Sequence, residues 1–483
     1  MSRLSGANLP EGVELPRYDR DVVTTGIVHF GIGNFHRAHQ AVYVDELLNQ
    51  GETQWGITGV SLRSSSMKEA LEPQDYLYTL AILGETTDYR VIGSIQNVLV
   101  APETPQAIID LLAEPSIQLI SSTITEKGYY LGSDGVDFRR AELQAELKSL
   151  DTPKTIYGFL AKGIMERSRT GEASKLTIMC CDNISGGGEY LKQGIEKLLA
   201  QHDDTALKWS QKNVAFISSM VDRVCPATDE ALKSKVINET KHEDAWPVSA
   251  EPFTQWIIEK DFAGDRPAFD KVGAVFVDDI APFERMKLRY LNCAHTMIST
   301  IGYLSGDSYV HEALERPDIF KFTRQALYEN VLPNAAVPKG YDGAAYIESV
   351  IERFQNGNLP YGNLQVGTDS SQKIQQRWFP TIEKALSNNA DTSYFEFSLG
   401  AWVIFIQIAL KNDILNDPKK SEFQKIKHNE NVAPYLRIAS ADQFAFYNQS
   451  IFIKAVNEYA QKIRKNGVKR AIVDFESKSK TLP

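Results

Sequence analysis

The chain has 483 residues, 43% hydrophobic and 24% charged, with a formal net charge of −10. That length exceeds one ordinary hydrophobic core and predicts two or three domains. The acidic balance, with no basic cluster interleaved with aromatics, argues against a cationic nucleic-acid surface.

Residues 1–25 are polar and turn-rich and are expected to wrap a surface. They contain no apolar core of the kind a signal peptide needs. No apolar run is read as reaching the roughly 18 residues of a membrane span. A cytoplasmic protein with no membrane partner is the expectation. The run G-I-V-H-F at 26–30 predicts a strand, G-I-G-N-F-H-R a turn, and the periodicity of 36–49 a helix. Further strands are expected at 55–60, 117–125, 176–181, 214–221 and 274–277, with an antiparallel pair at 76–82 and 89–95. Helices fit 107–113 and 190–200. Strands alternating with helices predict an α/β fold whose mainly parallel sheet is covered on both faces. After about residue 281 the pattern becomes helical, at 283–303, 309–330, 343–354, 396–411 and 451–465. The expected division is therefore 1–281 and 282–483, the second part mostly α-helical. The tail F-E-S-K-S-K-T-L-P is expected to fray.

Cys180, Cys181, Cys225 and Cys293 are the only cysteines, and none forms a C-x-x-C pair. That spacing predicts neither a zinc site nor a disulfide framework, but four buried thiols in a reducing compartment.

Gly31 and Gly33 lie between a predicted strand and a predicted helix. In a dinucleotide-binding turn the first glycine permits the tight bend and the second lets a pyrophosphate approach the backbone. His36 occupies the place of the third glycine in G-x-G-x-x-G, so an ordinary strand-to-helix turn explains the motif equally well. The carboxylate that would hold the adenosine ribose is missing from S-L-R-S-S-S-M-K at 61–68. With Arg63 and Lys68 there, NADP stays open beside NAD.

The segment M-K-L-R-Y-L-N-C-A-H at 286–295 carries an amine, an amide and an imidazole on a helix-compatible run. At about 100° per residue, Asn292 falls roughly 140° round from Lys287 and His295 roughly 80°. One broad face could present a base, a hydrogen-bond donor and an orienting ring, suited to taking a proton from an alcohol. A solvated basic face of Arg285, Lys287 and Arg289, with His295 in the core, fits the same spacing.

Several ordered segments agree on a family. They are G-I-G-N-F-H-R-A-H at 31–39, T-I-T-E-K-G-Y at 123–129, C-D-N at 181–183 and M-V-D-R-V-C-P at 220–226. E-P-F-T-Q-W-I-I-E at 251–259, the 286–295 segment and D-S-S-Q-K at 369–373 complete the set. Together they resemble the mannitol dehydrogenase family of long-chain, metal-independent polyol dehydrogenases. The resemblance implies a Rossmann-like N-terminal domain, a mainly helical C-terminal domain, NAD or NADP as cofactor, and no metal. It implies Lys287 as general base, an amine that must give up its proton near neutral pH. Asn292 and Asn183 would donate to the substrate oxygen, and His295 would bind and orient the same region. Asp222 would accept from substrate hydroxyls, although an ion pair with Arg223 would also suit it. Lys373 would reach the far end of the substrate, and Gln365 would also bind substrate. Glu284 would relay the proton or simply pair with Lys287. Val28, Gly31, Gly33, Phe35, Arg37, Ala38, Ser65 and Ser66 would form the cofactor site.

Three departures bear on specificity. Gln365 stands where polyol-oxidising members carry arginine, and is similar to the fructuronate reductase branch. L-Y-T-L-A-I-L-G-E at 77–85 and D-A-W-P-V at 244–248 are instead similar to mannitol dehydrogenases proper. Gly187 replaces an asparagine, which predicts a looser loop, and Ser65 and Ser66 replace acids. The expected reaction is D-mannitol to D-fructose, with D-mannonate to D-fructuronate as the alternative. A catalytically silent dinucleotide-binding sensor is the remote one. A small-molecule substrate and a monomer or small homo-oligomer complete the expectation.

Overall fold

The computed structural model describes residues 2–132, 134–170, 174–426, 431–440, 443–444 and 446–479. The chain divides into two compact units, Met1–Ile280 and Ala281–Pro483.

The first unit is built on an eight-stranded sheet. Its strands are β1 (Thr25–Phe30), β2 (Gly56–Ser61), β3 (Ile95–Val100), β4 (Leu119–Ser122), β5 (Leu176–Cys180), β6 (Val214–Asp222), β7 (Gln255–Glu259) and β8 (Val275–Val277). They lie in the order β8-β7-β6-β5-β4-β1-β2-β3. Strands β1 to β6 pair in parallel and β7 joins β6 antiparallel. The stretch β3-β2-β1-β4-β5-β6 is the doubly wound Rossmann order, whose direction of winding reverses between β1 and β4. Alternation sends Ile27 into one hydrophobic core and Val28 and Phe30 into another, so both faces are covered.

Two of these strands were not expected. Strand β3 lies just beyond the expected hairpin, which is itself present as Tyr78–Leu83 against Thr87–Ile92. Only two residues, Gly93 and Ser94, separate that hairpin from β3, too little punctuation to be seen as a break. Strand β7 lies inside the motif E-P-F-T-Q-W-I-I-E at 251–259. The first helix also differs: it starts at Asn34, breaks at His39 (φ −126°, ψ −92°) and resumes as Gln40–Asn49.

The second unit is helical throughout its described elements. Its core gathers round Ser393–Lys411, which packs against Cys293–Ser305 and Ser450–Asn466. Contrary to expectation, Ser393–Lys411 is long and apolar enough to cross a membrane, but 72% of its most apolar 18-residue window is buried. Here it is a core helix. The expected frayed tail is helical from Val468 to Ser479, held by Ile472 and Phe475, and residues 480–483 lie outside the described residues. Two helices contain a π-turn, at Leu288–Asn292 and Leu327–Val331.

Candidate active site

In the first unit the glycine turn leaves β1 at the point where the winding reverses. Gly31 has φ +98°, and a Cβ there would lie 2.1 Å from the Thr123 carbonyl oxygen, at the end of β4. Both the backbone angle and the close approach require glycine. Gly33 is different. It is extended (φ −77°, ψ −177°), exposed, and a Cβ on it would meet nothing within 4 Å. Its backbone is open to an incoming group.

The Gly31 carbonyl is clamped from inside. It accepts from the Thr123 hydroxyl at 2.7 Å, and His29 Nε2 lies 3.1 Å from it and 2.8 Å from Thr123 Oγ1. His29 Nδ1 lies 2.8 Å from Ser121 Oγ, which contacts Gln40 Oε1 at 2.8 Å. The His36 ring stacks on His29, centroids 3.5 Å apart. Burial drives the His29 imidazole down to about 3 and His36 well below its ordinary value, so both are neutral. The place of the third glycine is thus taken by a ring that packs the helix onto the strand by stacking. Polar residues inside an otherwise apolar strand, His29 in β1 and Ser121 in β4, were the available signal, since such groups need partners when buried.

The other proposed cofactor residues divide by exposure. Phe35 is half-buried and stacks on His39. Val28, Arg37 and Ala38 have no exposed surface. The Arg37 guanidinium donates to the Trp246 carbonyl and to Asn34 Oδ1 and lies over the Tyr78 ring. These three residues support the turn from beneath, and the open point of the turn is Gly33, flanked by half-buried Asn34 and Phe35. Ser65 and Ser66 follow β2 as expected. Ser65 donates to Glu69 at 2.5 Å, and Ser66 N–H and Oγ engage Ser64. Glu69 is an acid one residue beyond the acid-free run Ser61–Lys68.

Asn183 and Asp222 sit at the carboxyl ends of β5 and β6, Asn183 exposed and Asp222 buried. Arg223 donates to the carbonyls of Glu251 and Ala38. Between Asn183 and the glycine turn, Asp182 accepts from the N–H groups of Ile124 and Thr125 and from the Tyr129 hydroxyl. It fixes the 123–129 loop, where Thr125 takes a positive φ of 67°. Sequence reading singled out this loop only as a motif.

In the second unit, Lys287 ends the helix Ala281–Lys287, and the π-turn Leu288–Asn292 follows before Cys293–Ser305. The Cys293 N–H reaches back five residues to the Leu288 carbonyl. That bond makes residues five apart the stacked pair, where an α-helix stacks those four apart. Lys287 and Asn292 are such a pair. The regular-helix angle of roughly 140° is therefore wrong, and the wider turn swings Asn292 towards the Lys287 face. Both residues are 9% exposed, which rules out a solvated basic face for Lys287. Glu284 lies one turn before Lys287 and is partly exposed.

His295 packs between Phe354 and Tyr361, with ring centroids 4.7 and 5.2 Å away, and its Nε2 has no partner. Burial drives this imidazole down to about 3, and the charges of Arg377, Lys373 and Arg353 add to the shift. A neutral ring can accept as well as donate. Lys373 lies on the helix Ser370–Arg377 and donates to the Val366 carbonyl at 3.1 Å. Gln365, beside Val366, is exposed and lines a hollow of about 320 Å³ with Leu364, Thr368, Phe405 and Ile414. Cys180, Cys181 and Cys293 are buried, Cys225 is partly exposed, and all are free thiols. Among the described residues no group of His, Cys, Asp and Glu could hold a metal ion.

Two family models match in tandem. The mannitol dehydrogenase Rossmann domain covers residues 25–271, and the mannitol dehydrogenase C-terminal domain covers 279–464. The chain belongs to the mannitol dehydrogenase family. Among relatives, it is 32% identical to the polyol:NADP oxidoreductase of Gluconobacter oxydans, over 96% of this chain and 98% of that one. It is 33% identical to the D-mannonate oxidoreductase of Escherichia coli, over 88% and 89%. Among solved structures it matches Pseudomonas fluorescens mannitol 2-dehydrogenase, in ternary complex with NAD and D-mannitol. That match has a TM-score of 0.83 and 33% identity, over 99% of this chain and all of that one.

Proposed function

We propose that this oxidoreductase of the mannitol dehydrogenase family interconverts D-mannitol and D-fructose, with NAD as cofactor and Lys287 as general base. The observation that carries the reading is the π-turn that brings buried Lys287 and Asn292 towards one face. Likeness along both units to a mannitol 2-dehydrogenase seen with NAD and mannitol supports the substrate and the cofactor. The exposed Gly33 backbone, with open space over it, suits a dinucleotide pyrophosphate.

Bound NAD supplies the acceptor for the hydride that leaves the carbinol carbon. Uncharged Lys287 takes the hydroxyl proton, and the Asn292 amide donates to the oxygen as alkoxide character grows. Asn183 and Asp222 add a donor and an acceptor for the substrate from the carboxyl edge of the sheet. His295, through its unpartnered Nε2, binds the same oxygen region or a neighbouring hydroxyl. In ketose reduction Lys287 returns the proton, and Glu284, one turn earlier, exchanges it with solvent. Lys373 and Gln365 meet the far end of the substrate.

Gln365 favours a second reading, D-mannonate with D-fructuronate, which the likeness to a D-mannonate oxidoreductase also supports. Nicotinamide absorbance with the purified protein separates the two. Faster turnover of fructose than of fructuronate is expected, and of NADH than of NADPH. Preference for fructuronate would reverse the substrate assignment, and no turnover of either would favour the silent sensor. We further propose a cytoplasmic location, action without a metal, and a monomer or small homo-oligomer.

A further inference from the structure

A π-turn inside a helix misaligns backbone groups that a regular helix would satisfy, so it persists where neighbouring groups compensate it. The helix Ser370–Arg377 and the residue after it do so here. Arg377 Nη1 donates to Thr296 Oγ1 at 2.7 Å and reaches the Asn292 carbonyl at 3.4 Å. The Thr296 hydroxyl donates to that same carbonyl at 3.1 Å. Trp378 Nε1 donates to the next carbonyl, that of Cys293, at 3.1 Å. Two consecutive side chains thus grip two consecutive carbonyls where the π-turn rejoins the α-helix. Burial desolvates the guanidinium, and its partners are a hydroxyl and a carbonyl rather than a carboxylate. Trp378 is fully buried.

We propose that Arg377 is a positioning residue, which through Thr296 and the Asn292 carbonyl holds the π-turn that sets Lys287 and Asn292 on one face. Trp378 provides the second anchor. Lys373 and Arg377 lie four apart on one helix. That element therefore serves the substrate with one residue and the asparagine's backbone with the other. The catalytic part of this inference rests on the function proposed above.

Arg377→Ala and Arg377→Lys test it against the unaltered enzyme in three assays: NADH binding by fluorescence, steady-state kinetics, and amide hydrogen exchange. Arg377→Ala is expected to bind NADH normally and to lose about 10²-fold in kcat, the scale of a small misplacement at a reacting centre. Exchange should quicken across residues 288–297 and stay unchanged in β1 and β5. Millimolar guanidinium should restore part of kcat, and Arg377→Lys should fall between. An unchanged kcat in the alanine variant overturns the proposal, as does a loss that neither guanidinium nor lysine repairs. If the unaltered enzyme turns over no polyol, ketose or hexonate, the proposed function fails. Exchange then decides whether Arg377 holds the turn: local loss of protection supports it, and unchanged protection at 288–297 overturns it.

Discussion

The two turns that matter most are built by opposite means. At Gly31 the backbone itself sets the shape: φ is +98° and a neighbouring carbonyl leaves no room for a Cβ. Residue type alone enforces that bend. At Leu288–Asn292 every residue is ordinary, and side chains 85 residues later, Arg377 at the end of a helix and Trp378 just after it, grip the carbonyls. The first kind of turn is local and intolerant of substitution at one position. The second depends on distant donors.

That contrast can be broken most forcefully at the helical turn. Lys287→Ala is expected to lower kcat by at least ~10²-fold, the scale of losing an acid–base group, while NADH binding persists. Near-normal turnover in stopped assays would remove Lys287 from the chemistry. At the glycine turn the two glycines should separate. Gly31→Ala forces a side chain into positive φ at about 1–3 kcal/mol before the clash is counted, so urea unfolding should shift markedly. Gly33→Ala should leave unfolding alone and weaken NADH binding about 10-fold or more, the effect of one methyl in a tight contact. Equal effects of the two substitutions on stability would show that the turn is not divided in this way.

The clamp beneath Gly31 makes a smaller, pH-dependent prediction. His29 is held neutral with its folded value near 3, below the unfolded value of about 6.5. Between these limits the unfolded chain binds a proton that the folded one does not. The His29 contribution is therefore complete above about pH 6.5 and is lost as pH falls, at up to about 1.4 kcal/mol per unit. Urea midpoints of the unaltered protein should drop more steeply from pH 7 to 5 than those of His29→Gln. Parallel slopes would mean that His29 is protonated in the fold. The smallest effect is expected at Ser66→Asp, which should tilt the NADH:NADPH ratio further towards NADH by repelling a 2′-phosphate. An unchanged ratio would place the adenosine pocket elsewhere.

Much of the fold was legible because its signals are local. The run G-I-V-H-F followed by G-I-G, and the later strands alternating with helices, predicted the parallel sheet. The change to helical periodicity near 281 marked the second unit. Strand β3 escaped because it follows the hairpin with scarcely a break, and the helix expected at 36–49 hid a kink at His39. At the site, residue types pointed to Lys287, Asn292 and His295, but a regular 100° step gave the wrong angle between the first two. Arg37 looked like a cofactor residue by its motif, yet its guanidinium points to Trp246 and Asn34.

Sequence by itself determined which chemistry is on offer: an amine, two amides, a histidine and a glycine-bearing turn, in a fixed order along the chain. Tertiary structure decided how they are presented. It supplied the donors that keep the π-turn open, stacked His36 on His29 in place of a third glycine, and turned Arg37 inward. The π-turn's donors, the Trp246 carbonyl that holds Arg37, and the Ser121 and Thr123 partners that hold His29 all lie far along the chain from the residues they fix, and such contacts leave no periodic trace in the order of residues.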